Sequence, residues 1–129
     1  MTAKQLYETF FTAVSAAAPT VAWQQKSLPK PEAEPWGIVT FDGDAPTSLS
    51  VRGRSFIYYH LWIYKDGDES DLVQLAANIK SALNGMVVTS PTGGHKTVFD
   101  WISTGKVFYD ETLLSDGIDM VFRNVASSI

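Results

Sequence analysis

One stretch constrains this chain more than any other. From Ser55 to Lys65 the sequence runs without a glycine, a proline or an acid and reads as a β-strand with two unlike faces. One parity carries Ile57, Tyr59, Leu61 and Ile63, mainly aliphatic, the texture of a core. The other carries Phe56, Tyr58, His60, Trp62 and Tyr64, almost entirely aromatic with polar tips. A fold built around this strand must cover the aliphatic face and find a use for the aromatic one. The composition allows it: 45% of the 129 residues are hydrophobic, with 7 Phe, 4 Trp and 5 Tyr. That excludes a disordered chain, and the length fits one domain spanning residues 1–129.

The cover is legible as two helices. Leu6, Phe10, Ala13, Val14 and Ala17 fall on one face of a helix from Thr2 to Ala17, with Thr2 and Gln5 at capping-box spacing and Pro19 as the stop. Leu72, Leu75, Ala76, Ile79, Ala82 and Leu83 form the stripe of a second helix, Glu69 to Asn84, with Asp71, Gln74, Asn78 and Ser81 facing away. Asp68 suits its N-cap, Glu69 and Asp71 suit the positive end of its dipole, and Gly85 suits the residue after its end.

Strands fill the rest. Val21 to Gln25 and Trp36 to Phe41 have strand character, separated by a Lys26–Pro35 segment whose Pro29, Pro31 and Pro35 exclude helix and interior strand. Asp42 to Arg54 is an overlong, polar connection, expected to order on contact with a partner. Val98–Thr104, Lys106–Leu114 and Gly117–Ser127 alternate as strands, with Gly105 and Gly117 marking bends. In the last, Ile118, Met120, Phe122 and Asn124 share one parity. The order predicts an α+β fold: an antiparallel or mixed β-sheet with two helices packed on one face, the aromatic parity lying on the other.

Chemistry is sparse. There is no cysteine, so no disulfide framework and no thiolate. A net charge of −4 gives no general attraction to nucleic acid or an anionic membrane. The charge is uneven: six Lys/Arg oppose five Asp/Glu in residues 1–65, but four oppose nine in residues 66–129. One part should be acidic, and self-assembly would bring it near a more basic part of a neighbour. The opening residues carry Gln5, Tyr7 and Glu8 where a signal peptide would be apolar, and no run is long enough to span a membrane.

Gly94-His95-Lys96-Thr97 lacks the upstream glycine of a phosphate loop. Asp66-Gly67-Asp68-Glu69-Ser70-Asp71 opens like a calcium loop but has Asp71 where glycine is needed and Ala77 where the bidentate acid belongs. No serine has nucleophile-elbow flanks, and His60 and His95 have no zinc-type spacing. No catalytic residue, metal or cofactor is expected. Arg52 and Arg54 with the aromatic parity form the best interface candidate, because aromatic and arginine side chains are enriched at such surfaces. The competing reading makes the aromatic parity a second core layer closed by the Pro-rich loop.

The layout resembles a family. An amphipathic helix, a Pro-rich segment, a strand at Trp36–Phe41, an overlong loop and the strand His60-Leu61-Trp62-Ile63-Tyr64 follow one another. An acidic turn, a helix ending Ala82-Leu83-Asn84-Gly85 and strands complete it. This is similar to the tail-terminator, or tail-completion, proteins of long-tailed bacteriophages and phage-derived particles. The resemblance implies a non-enzymatic subunit that forms a homo-hexameric ring at the head-proximal end of the tail tube. The ring would stop tube growth and join the head–tail connector protein, in the virion after assembly in the host cytoplasm. Partners would be other copies, the tail tube protein and the connector, with no membrane and no sequence-specific nucleic acid. Phage resemblance carries no residue assignments, so the interface residues expected here rest on the physical argument: Arg52, Arg54, Phe56, Tyr58, His60, Trp62 and Tyr64. Two other readings stand beside it: another neck component, and a small-molecule binding domain with a pocket near His60.

Overall fold

A computed structural model describes residues 3–25, 33–42, 54–89 and 96–127. Most of the Pro-rich segment, the Asp42–Arg54 connection beyond its first and last residues, the Thr2 cap, and Gly94 and His95 lie outside the described residues.

The first helix forms as α1 (Ala3–Ala17). Leu6, Phe10 and Val14 bury fully, while Ala13 and Ala17 are half-buried beside them. After a short strand β1 (Ala22–Gln24) come β2 (Trp36–Asp42) and β3 (Arg54–Tyr64). The second helix is α2 (Glu69–Leu83), followed by β4 (Met86–Thr89), β5 (Lys96–Thr104), β6 (Phe108–Asp110) and β7 (Ser115–Ser127). The strands make one seven-stranded sheet in the order β1-β2-β3-β7-β5-β4, with β6 paired to β7. β1 and β2 are parallel and every other pair is antiparallel, so the sheet is mixed.

Both helices cover the same face. Tyr59, Leu61 and Ile63 of β3 meet Phe122, Met120 and Ile118 of β7, respectively, across the ladder, and all six are buried with Phe10, Val14, Leu72 and Ile79. Each large apolar side chain so buried stabilises the fold by ~1.5–3 kcal/mol. Phe10 is the centrepiece, stacked on Tyr59 at 4.3 Å between ring centroids and edge-on to Phe99 at 5.2 Å. The polar atoms of this core are partnered. The Tyr59 hydroxyl donates to Asn124 Oδ1 (2.9 Å), and Asn124 Nδ2 donates to Thr97 Oγ1 (2.6 Å). Burial pushes the Tyr59 phenol well above its ordinary range.

The start of α2 is the cap foreseen. Asp68 Oδ1 accepts from the Asp71 backbone N–H at 3.1 Å. That bond, with help from Lys65 and Ser70, holds the Asp68 carboxyl below the usual carboxylate range. Lys65 Nζ in turn reaches Asp71 Oδ2 at 2.7 Å, which raises its own ammonium. The acids that opened like a calcium loop are thus spent on a helix start. At the other end Gly85 takes a φ of +82°, and its N–H donates to the Phe99 carbonyl.

Three expectations need correction. Lys106–Leu114 is not one strand: only Phe108–Asp110 pairs, and residues 111–114 turn back. The cause is Asp110, whose Oδ1 accepts from the N–H groups of Thr112 (2.9 Å) and Leu113 (3.0 Å) and so offers the backbone a turn in place of a ladder. That turn places Leu114 at a φ of +53°, where a side chain with a Cβ is strained by roughly 1–2 kcal/mol. Gly117 is not a bend: it lies inside β7 opposite Tyr64, and a Cβ there would come within 2.8 Å of the Tyr64 ring. The edge strand β4, finally, carried no alternation by which to foresee it.

Candidate functional site

The sheet face away from the helices carries the aromatic parity, and the fold divides it into a closed part and a half-open part. Arg52 lies outside the described residues. Arg54 and Phe56 hold positions in β3 opposite Ser127 and Val125, and their side chains lie outside the description. Tyr58, His60, Trp62 and Tyr64 share the face.

Tyr64 is not part of any exposed surface of the subunit. It is 4% exposed and stacks on Trp36 at 4.7 Å. With Ile38 and Leu113 these two rings make a second, smaller core, flanked by Ala22, Trp62 and Phe108. Phe108 stands edge-on to Tyr64 at 6.2 Å. Burial first, then the charge and hydrogen bond of Asp110 and the charge of Asp119, push the Tyr64 phenol up to about 12. At this end the aromatic parity is therefore a second core layer. Its described cover is β6 and the turn after it, since residues 26–32 of the Pro-rich loop lie outside the description. Within the layer Trp36 is fully buried, and its indole Nε1 has no hydrogen-bond partner among the described residues.

Further along β3 the face opens. His60 and Trp62, two residues apart on one strand face, stack at 3.9 Å between ring centroids. His60 Nε2 lies 3.0 Å from Asp119 Oδ2, with both side chains about one-third exposed at 33% and 31%. Asp119 shares the sheet face because it sits opposite Trp62 on β7. It fits because its neighbour is Gly105, where a Cβ would collide with the carboxylate. Sequence reasoning assigned His60 no acidic partner. The signal existed in the parity of Asp119 on β7, but only the register of β3 against β7 brings the two together. Beyond them Tyr58 pairs in register with Arg123, whose Nη2 is 3.9 Å from Asp100 Oδ2.

A histidine–aspartate pair can hold and move a proton, and becomes part of a nucleophilic triad only beside a hydroxyl or thiol. The nearest hydroxyl on the register, Thr40, donates to the His60 carbonyl at 3.3 Å. Among the described residues no group of three His, Asp or Glu side chains could hold a metal ion. No helix among them is long and apolar enough to cross a membrane.

One concavity among the described residues lies elsewhere. A groove of about 510 Å³ runs between α1 and the edge strand β4, lined chiefly by Thr9, Thr12 and Ala16 from the helix and Met86, Val88 and Thr89 from the strand. None of its lining residues belongs to the aromatic face.

No family model matches the chain, and no curated protein matches it. Its fold is shared by solved structures, among them the following two. One, described by a sequence identifier alone, superposes with a TM-score of 0.65 at 16% identity, covering 98% of this chain and 95% of that one. The other is a chain in the virion of a native gene transfer agent particle, with a TM-score of 0.65 at 18% identity, covering 95% of this chain and 92% of that chain. At these identities the likeness is one of fold.

Proposed function

We propose that this chain is a structural subunit of a phage-type particle: a tail terminator that forms a homo-hexameric ring at the head-proximal end of the tail tube. The ring ends tube polymerisation and offers its outer surface to the head–tail connector protein. The observation that carries this reading is the nearly complete, end-to-end fold match to a chain of a gene transfer agent virion. The resemblance in layout from the leading helix to Gly85 agrees with it. The chemistry of the surface agrees too. The half-open aromatic face and the helix-side groove are built from packed rings, hydroxyls and apolar side chains, materials suited to protein contacts. In this reading the protein is not an enzyme, binds no cofactor, and resides in the virion after assembling in the host cytoplasm.

The test is sizing by light scattering with negative-stain imaging, on the protein alone and with purified tail tubes. Rings of about six subunits that seat on tube ends and halt tube growth are expected. A monomer or dimer indifferent to tubes overturns the reading.

A further inference from the structure

The chain has three asparagines, Asn78, Asn84 and Asn124, and one of them precedes a glycine. An asparagine can modify itself. The backbone nitrogen of the following residue, once it has given up its proton, attacks the side-chain amide carbon. A new C–N bond closes a five-membered imide, the Cγ–Nδ2 bond breaks, and ammonia leaves. Water then opens the imide at either carbonyl, giving aspartate or isoaspartate. A following glycine favours the attack, because it has no side chain to crowd the nitrogen and the widest choice of backbone angles. Asn78 precedes the β-branched Ile79 inside α2. Asn124 is buried, precedes Val125, and has both amide atoms in hydrogen bonds. Asn84-Gly85 is the pair suited to the reaction, and both residues are exposed to the water it needs.

The fold holds this pair shut in three ways. Asn84 caps α2 with a ψ of +119°, an extended value that turns the Gly85 nitrogen away from the Asn84 side chain. The Gly85 N–H donates to the Phe99 carbonyl at 2.7 Å, so the nucleophile keeps its proton and its place. Asn84 Oδ1 accepts from the Trp101 N–H at 3.0 Å, so the electrophilic amide is held as well.

Both hydrogen bonds run to β5, to residues two apart. One strand therefore restrains both partners of the reaction, and one local opening frees both. The corner is placed where a sheet opens easily. β4 is four residues long and ends the sheet, and the β5–β7 register shifts between Trp101 and Ser103, just beyond the second bond.

We infer that Asn84 is a latent site of deamidation, gated by separation of the Asn84-Gly85 corner from β5. The change is one-way. Isoaspartate routes the main chain through the side-chain carbon and adds a methylene between α2 and β4, which takes the Gly85 N–H out of register with Phe99. Aspartate keeps an acceptor for the Trp101 N–H but places a negative charge at the negative end of the α2 dipole. A brief opening thus leaves a permanent mark on the subunit. The inference is independent of the ring reading.

Mass spectrometry of the tryptic peptide Ser81–Lys96 tests it, since that peptide holds one asparagine and no aspartate. The full chain is aged in mildly alkaline buffer in three conditions: folded, at a series of sub-denaturing urea concentrations, and unfolded. Hydrogen exchange of the Gly85 amide is followed in parallel. Asn84 should convert readily in the unfolded chain and about a hundredfold more slowly in the folded protein, the ratio for a reactive form populated at about 1%. Across the urea series, conversion should rise in proportion to exchange of the Gly85 amide. Equal rates in the folded and unfolded chain overturn the protection. An unfolded chain that keeps Asn84 intact overturns the site. Conversion that does not follow Gly85 exchange overturns the gating by β5.

Discussion

β3 faces two interiors, and they are built to different standards. On the helix side Tyr59, Leu61 and Ile63 are fully buried under two helices, and the Tyr59 hydroxyl is satisfied through Asn124 and Thr97. On the other side, among the described residues, Tyr64 and Trp36 lie under a short strand and a turn, the Trp36 indole N–H has no partner, and two residues along β3 the face is half-open at Trp62 and His60. The helix-side layer holds the fold. The thinner layer fixes the shape of a surface, and the same strand serves both because alternate side chains are independent.

The largest expected effect tests the first half of that contrast. Phe10→Ala should cost ~3–5 kcal/mol by opening a cavity among Tyr59, Phe99 and Phe122, read as a fall in the midpoint of urea unfolding. A loss comparable to that of an exposed site would mean that α1 does not organise the core. A middle effect concerns the thin layer. Folding favours the neutral Tyr64 phenol, so its stabilisation is complete below the ordinary phenol range near 10 and is lost as pH rises toward about 12. Tyrosinate absorbance should lag that of an exposed tyrosine, and Trp fluorescence should change in step with it. Simple titration near the ordinary value would dissolve the second core. The smallest effect on stability is that of Tyr58→Glu on the half-open part of the face. It should shift unfolding by less than ~1 kcal/mol while weakening oligomers in light scattering. A severe folding defect would make the whole aromatic parity core.

Much of this was readable from residue spacing. α1, α2 and the two parities of β3 follow from periods of 3.6 and 2, and the Asp68 cap and the left-handed Gly85 follow from local chemistry. The misreadings have a common cause. β4 is four residues without alternation, defined by a neighbour and not by its own pattern. Lys106–Leu114 alternates well enough, but Asp110 diverts it. Parity assigned Tyr64 to its face correctly, yet what covers it, Leu113 and Phe108, is more than forty residues away in the chain. Asp119 became a partner of His60 only through strand register. Pattern reports which way a side chain points; it does not report what stands there.

The buried chain from Tyr59 through Asn124 to Thr97 links β3, β7 and β5, the three central strands. Apolar alternation forbids a slip of one residue but tolerates a slip of two, since the same face stays inward. The hydrogen-bonded trio removes that tolerance: sliding β7 by two residues would strand an amide in hydrocarbon. It works as an index mark on a ruler. Because β7 carries the β6 hairpin near one end and, through β5, the α1–β4 groove near the other, this mark also sets the spacing between them. A polar contact deep in the core thereby becomes a length standard for the outer surface of the molecule.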